Sequence, residues 1–205
     1  MKIVVGISGA TGVIYGVRTL EALHLCNVET HLVMSGSAKR TIELESDFSV
    51  KSVEALADYV HDIDNIAASI SSGSFKTNGM IIVPCSMKTL SAVAHSYNEN
   101  LLIRAADVTL KEGRKLVLVT RETPLHLGHL RLMTAVAEVG ATILPPMPAF
   151  YHKPESIEDI VNQTVGKILD QLQIENKLFE RWKGDGGEQE NRKPLLAVNS
   201  KKREG

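Results

Sequence analysis

The chain has 205 residues, 43% of them apolar and 23% charged, with a net charge of −1. That is the composition of a soluble globular protein, and it gives no electrostatic case for binding nucleic acid or a membrane surface. Two cysteines without paired spacing, Cys26 and Cys85, argue against a disulfide framework or a zinc site and favour a reducing cytoplasm, while no apolar run is long enough to span a membrane.

Length predicts a single domain, and its elements read in order from the first residues. Lys2-Ile3-Val4-Val5-Gly6-Ile7 is a strand, and it stops at Ser8-Gly9-Ala10-Thr11-Gly12. A stripe of Val13, Val17, Leu20 and Leu23 then predicts a helix to about Leu25. Strand, glycine turn and helix open a βαβ unit. Free N–H groups at the helix start, with the hydroxyls of Ser8 and Thr11, suit an anion such as a phosphate. The spacing Gly6-x-x-Gly9-x-x-Gly12 is not the dinucleotide fingerprint. The second strand, about Val28 to Met34, ends in Ser35, where a nicotinamide dinucleotide site would carry an acid. A phosphate-bearing ligand with no adenosine ribose, such as FMN, suits this turn better than NAD.

Ser35-Gly36-Ser37 is an N-cap cluster before a helix over about Ala38 to Glu45. Val50 to Val60 is a second amphipathic segment, with Val53, Leu56, Ala57 and Val60 on one stripe. His61 to Asn78 reads as a long irregular connection. Met80-Ile81-Ile82-Val83 and Leu116-Val117-Leu118-Val119-Thr120 are wholly apolar or nearly so, as parallel strands buried on both faces are. Helices follow each, and another lies over about Leu101 to Glu112. Gly140 ends the helix from Leu127, Ala141 to Leu144 is a fifth strand, and Ser156 with Asp159 opens the last helix in a capping-box pattern. The alternation predicts an α/β fold, a flavodoxin-like or Rossmann-like three-layer sandwich with a mostly parallel open sheet. It occupies residues 1–182 as one domain, with a polar tail over 183–205.

Ligands of such folds bind beyond the carboxyl ends of the strands. That rim gathers Ser8 to Thr11, Ser35, Ser37, the stretch Cys85-Ser86-Met87-Lys88-Thr89, then Arg121, Glu122 and Tyr151. Arg121-Glu122 beside a buried strand reads either as a mutual ion pair or helix-start acid, or as a positioned acid/base with a cation for a phosphate or flavin edge. Arg104 and Lys111 share one helix face, as solvated cations or as anion ligands. Cys85 reads as an inert thiol, His126 and His129 as surface or capping histidines, and Trp182 as packing the last helix.

Gly9-Ala10-Thr11-Gly12, Pro84-Cys85-Ser86-Met87-Lys88-Thr89-Leu90, the run Asn100 to Glu112, Arg121-Glu122-Thr123-Pro124-Leu125 and Pro148-Ala149-Phe150-Tyr151 resemble the UbiX-like flavin prenyltransferase family, formerly termed phenylacrylic acid decarboxylases. The resemblance covers about Met1 to Trp182. It implies a flavodoxin-like subunit of a homododecamer that binds FMN between subunits. The implied reaction moves a dimethylallyl group from dimethylallyl phosphate onto N5 and C6 of reduced FMN, without metal, for use by a UbiD-type decarboxylase. By the same resemblance, Gly9, Ala10, Thr11, Ser35, Ser86, Met87, Lys88, Thr89 and Arg121 contact the flavin. Tyr151 and Lys167 hold the prenyl phosphate, with Arg104 and Lys111 in the same cluster. Glu122 is the catalytic carboxylate, and Glu45 a second acid near the phosphate. Thr11 and Lys167 stand where serine and arginine are frequent, keeping the hydroxyl and the charge respectively. Rival readings are a flavin-dependent cysteine or aromatic-acid decarboxylase and a non-catalytic FMN carrier.

Overall fold

Strands with both faces covered read as runs of apolar residues with no polar alternation, and the central strands of the sheet are of this kind. The computed structural model describes residues 1–182 and Gly184; the tail expected over 183–205 otherwise lies outside the described residues. Within them, six strands form one sheet: β1 (Lys2–Ile7), β2 (Glu29–Met34), β3 (Tyr59–His61), β4 (Gly79–Cys85), β5 (Lys115–Thr120) and β6 (Thr142–Ile143). The helices are α1 (Val13–Leu25), α2 (Gly36–Glu45), α3 (Val50–Glu54), α4 (Met87–Ala94), α5 (Leu101–Lys111), α6 (Leu127–Glu138) and α7 (Ile157–Gln171).

The strand order is β3-β2-β1-β4-β5-β6, every pairing parallel. Without the short edge strand β3 this is the flavodoxin-like order. Side chains alternate across the sheet. Ile3, Val5 and Ile7 of β1, with Ile81, Val83, Val117 and Val119, pack in one core with residues of α1 and α7. Val4, Met80, Ile82, Leu116 and Leu118 pack in a second core with residues of α4 and α5. The expected three-layer sandwich is therefore the observed one.

The sequence reading differs from the structure in one element. The amphipathic segment over Val50 to Val60 divides: helix α3 ends at Glu54, and Tyr59–His61 is the edge strand β3. Contacts from distant residues hold it there. His31 of β2 stacks on Tyr59 with ring centroids 4.6 Å apart, its Nδ1 lies 2.9 Å from His61 Nε2, and its Nε2 lies 3.0 Å from Glu29 Oε1. Tertiary pairing overrides a weak local helical pattern in three residues. Gly140 has φ 101° and closes α6 as expected, and the Ser156–Asp159 capping box opens α7.

Helix α6 is unlike the other long helices. Of its 12 residues only Val136 is buried, and Leu127 and Leu130, followed in the chain by Met147, Phe150 and Ile157, are exposed. No helix among the described residues is long and apolar enough to cross a membrane.

Candidate active site

Strands β1 and β4 are neighbours, but β2 lies on the other side of β1 and β5 on the other side of β4. The loops leaving β1 and β4 therefore part company, which opens a crevice at their carboxyl ends. Ser8 joins the two loops. Its buried Oγ donates to the Pro84 carbonyl oxygen at 3.0 Å and accepts from the Ser86 N–H at 2.8 Å. This corrects the expectation that the Ser8 hydroxyl faces an anion: both of its bonding roles are used inside the protein. Ser8→Ala leaves the Ser86 N–H without that acceptor, at a cost of about 1–3 kcal/mol. A thermal melt should fall by about 2–4 °C for each kcal/mol lost in a chain of this length, and an unchanged melting temperature would show that the two loops hold each other without Ser8.

Gly12 takes the left-handed φ of 91° that begins α1, a conformation open to glycine. Its N–H donates to Glu45 Oε2 at 2.8 Å. Glu45 thus reaches from the last turn of α2 to the start of α1, where the helix dipole favours a carboxylate. An amide expected to await an anion already has one.

The crevice itself is a cleft of about 370 Å³ whose walls include Gly9, Ser35, Ser86, Met87, Lys88, Thr89 and Glu122. Seven residues assigned from the sequence thus meet in one place, brought there by four different strand ends. Ser35 caps α2, its Oγ accepting from Ala38 N–H at 3.0 Å, and Ser86 caps α4 through Thr89 N–H at 3.2 Å. Two helix starts therefore point their positive ends toward the cleft. At Gly9 the backbone runs so close to α2 that a Cβ would lie 2.2 Å from Ser37 Cβ. Glu122 accepts from the N–H of Thr123 at 3.0 Å, which fixes one carboxylate oxygen and leaves the other uncommitted.

Both bland readings of Arg121-Glu122 fail: no ion pair joins them among the described residues, and α6 begins only at Leu127, capped by His126. Arg121 continues the β5 ladder, its N–H donating to the Cys85 carbonyl oxygen at 3.1 Å. Just before it, Thr120 Oγ1 is buried with no partner among the described residues. Cys85 is fully buried, and burial pushes its thiol well above the usual range, which suits an inert role.

The cleft also takes in Ser37, placed on the same rim from the sequence, and Ile63, Glu99, Asn100, Leu102 and Ile103, to which the sequence reading assigned no site role. One signal for them was present: Asn100 before an apolar helical run is an N-cap, and its Oδ1 accepts from Ile103 N–H at 3.1 Å. Lys88 Nζ lies 3.4 Å from Glu99 Oε1, across the mouth between α4 and the loop before α5. Volume, apolar lining and capped helix starts together suit a planar ring bearing a phosphate, so the residues fit FMN.

The remaining assigned residues lie elsewhere in the subunit. Ala10 and Thr11 sit on the β1 loop outside the cleft walls. Tyr151 borders a separate hollow with His152, Arg181 and Trp182. Trp182, expected to pack the last helix, instead meets Tyr151 edge-on at 6.2 Å and is 66% exposed. Lys167 on α7 is only 3.9 Å from Asp170, because Arg181 already holds that carboxylate through contacts of 2.7 and 2.9 Å. The Arg181 bond is also what keeps the Asp170 carboxyl below its usual range. Arg104 lies in the first half of α5, directly after the cleft-lining Ile103, but its side chain turns to the loop at Ser71, while Lys111 ends the helix beside Gly73. Lys111 pairs with Glu112. None of the cations assigned to the prenyl phosphate, Arg104, Lys111 or Lys167, is among the residues that line the cleft with Glu122. The His126 and His129 rings lie with centroids 3.6 Å apart and tilted by 34°, and no group of three or more metal-ligating side chains occurs among the described residues.

A sequence profile of the Flavoprotein family matches residues 1–169. The flavin prenyltransferase UbiX of Thauera aromatica is 64% identical over 185 residues, covering 90% of this chain and 95% of that protein. The crystal structure of AnUbiX in complex with FMN and dimethylallyl pyrophosphate superposes with a TM-score of 0.88 at 55% identity, over 89% of this chain and 97% of that one. A dodecameric FMN-dependent UbiX-like decarboxylase from Escherichia coli O157:H7 gives the same TM-score and identity, over 90% of this chain and all of the other.

Proposed function

This chain belongs to the UbiX-like flavin prenyltransferase family, and from that premise we propose that it transfers a dimethylallyl group from dimethylallyl phosphate to N5 and C6 of reduced FMN. The observation that carries the reading is the cleft at the β1/β4 crevice, where Glu122 shares the wall with the capped starts of α2 and α4.

Reduced FMN supplies the two nucleophilic ring atoms. The chain's own residues supply position, charge and proton transfer. Gly9, Ser35, Ser86, Met87, Lys88 and Thr89 hold the flavin from the cleft walls, with Ala10, Thr11 and Arg121 at its margin. Breaking the allylic C–O bond leaves negative charge on the departing phosphate. Tyr151, Lys167, Arg104 and Lys111 stabilise that anion without a metal. Glu122 takes up a proton displaced as the second ring bond forms, and Glu45 serves as the further acid near the phosphate.

Arg104 and Lys111 do not line the cleft of their own subunit, so a neighbouring copy supplies them. A homododecamer with FMN between subunits meets that need, and a dodecameric relative supports it. The product passes to a UbiD-type decarboxylase. Two free cysteines fit the reducing cytoplasm as its location.

Anaerobic incubation with FMN, a reductant and dimethylallyl phosphate, followed by mass spectrometry of the released flavin, tests the reading. The expected product is a flavin heavier by one five-carbon unit. Flavin that stays bound but unmodified would overturn it in favour of a carrier or a decarboxylase.

A further inference from the structure

Most arginines on a helix surface are mobile, but Arg104 is held. Its Nε donates to the Ser71 carbonyl oxygen at 3.1 Å, and its Nη1 donates to Asp107 Oδ2 at 3.0 Å. The same carboxylate oxygen accepts from Asn98 Nδ2 at 3.1 Å. Two groups thus fix the guanidinium, the Ser71 carbonyl of the loop after β3 and Asp107 in the next turn of α5, and Asn98 of the loop before α5 holds Asp107 in turn. Nη2 has no partner among the described residues, and the side chain is 35% exposed. What remains as its free edge is Nη2 with the second N–H of Nη1, donors suited to the oxygens of a phosphate.

Asp107 has two opposite effects on such a site. Its negative charge, one helical turn from Arg104, weakens the attraction for a phosphate. Its hydrogen bond sets the guanidinium plane in advance, so that the side chain is not immobilised at the moment of binding. The Asn98 bond matters here, because it orders the carboxylate that does the ordering.

We propose that Asp107 is a positioning residue that aims the free edge of Arg104 at the phosphate of the prenyl donor held by a neighbouring copy. The inference rests on the phosphate role given to Arg104 above. If ordering outweighs charge, removing Asp107 weakens donor binding; if charge outweighs ordering, removing it strengthens binding. The sign of the change therefore decides.

Steady-state kinetics of the FMN-loaded assembly with dimethylallyl phosphate reads that sign. Asp107→Ala should raise the donor KM roughly three- to tenfold, with FMN affinity, assembly mass and melting temperature unchanged. Asp107→Asn keeps an acceptor for Nη1 and should stay within about threefold of the parent, a rescue that a purely ionic role would not give. Asn98→Ala, whose bond lies at the surface, should shift KM in the same direction as Asp107→Ala by a smaller factor, and serves if the larger change impairs folding. In an Arg104→Ala background Asp107→Ala should add nothing. A lowered or unchanged KM in Asp107→Ala, or its full effect persisting without Arg104, would overturn the proposal. If Arg104→Ala raises KM and Asp107→Ala does not, the role of Arg104 stands and only the positioning role falls. If Arg104→Ala itself leaves KM unchanged, the phosphate role of Arg104 fails and the positioning role fails with it.

Discussion

Replacing Glu122 by glutamine should slow formation of the prenylated flavin by about 10²–10⁴, the usual range for a lost proton-transfer group, while FMN binding stays within about twofold. The substitution keeps the side chain's length, its shape and an oxygen to accept from the Thr123 N–H, now 3.0 Å from Oε1. It removes the negative charge and with it the capacity to take up a proton. Glu122 lines the cleft, and one of its oxygens is uncommitted. No cation pairs with it among the described residues, so no partner would be stranded by the change. Single-turnover product mass, followed anaerobically, separates the two parts of the prediction: bound flavin should be normal and its conversion slow. A normal rate would assign the proton to another acceptor, the departing phosphate being the nearest in chemistry.

The second large effect is at Gly9. A valine there must put its Cβ at a position 2.2 Å from Ser37 Cβ and 3.3 Å from the Ser37 backbone. Ser37 belongs to the first turn of α2, which Ser35 caps, so the obstacle is a Cβ whose place the helix backbone sets, and no rotamer change moves it away. The β1 loop and α2 have to separate, and both form walls of the cleft. Overpacking of this kind costs about 1–3 kcal/mol, which corresponds to roughly a 5- to 150-fold weaker FMN Kd if the strain is relieved in the free protein and must be restored on binding. Gly36→Ala is the control, since a Cβ at Gly36 meets nothing within 4 Å. Flavin fluorescence titration of the two variants should show a large loss at Gly9 and almost none at Gly36. Equal affinities would mean that the glycine turn serves packing and not the ligand.

The parts of the fold that were legible in the sequence are those whose signal is local and strong. β4 and β5 could be read because strands buried on both faces carry almost no polar residue, and α7 because its capping box is written in two residues. β3 could not, because Tyr59 and His61 become a strand through His31, about thirty residues earlier in the chain. The cleft divides in the same way. Its glycine, serine and Arg-Glu segments sit at strand ends and were found by position, whereas Leu102 and Ile103 look like ordinary core residues of an apolar helix and line the cleft only because α5 begins at its edge. Ser8 shows the converse. A hydroxyl beside a glycine turn reads as a ligand group, yet it joins β1 to β4. Nor does the order of residues along the chain reveal that Arg104 turns to Ser71 and Asp107 while its neighbour Ile103 lines the cleft with Glu122.

Helix α6 buries a single residue, and the segment after it leaves Met147, Phe150 and Ile157 in contact with solvent. In an assembly that covers these side chains, each added copy acts as a ligand of the folded state, and its contribution grows with the logarithm of the free subunit concentration. The free energy that keeps this chain folded then belongs to a solution of stated strength and not to the molecule alone. Dilution becomes a denaturant, and the cell's rate of synthesis becomes one of the terms in the protein's stability.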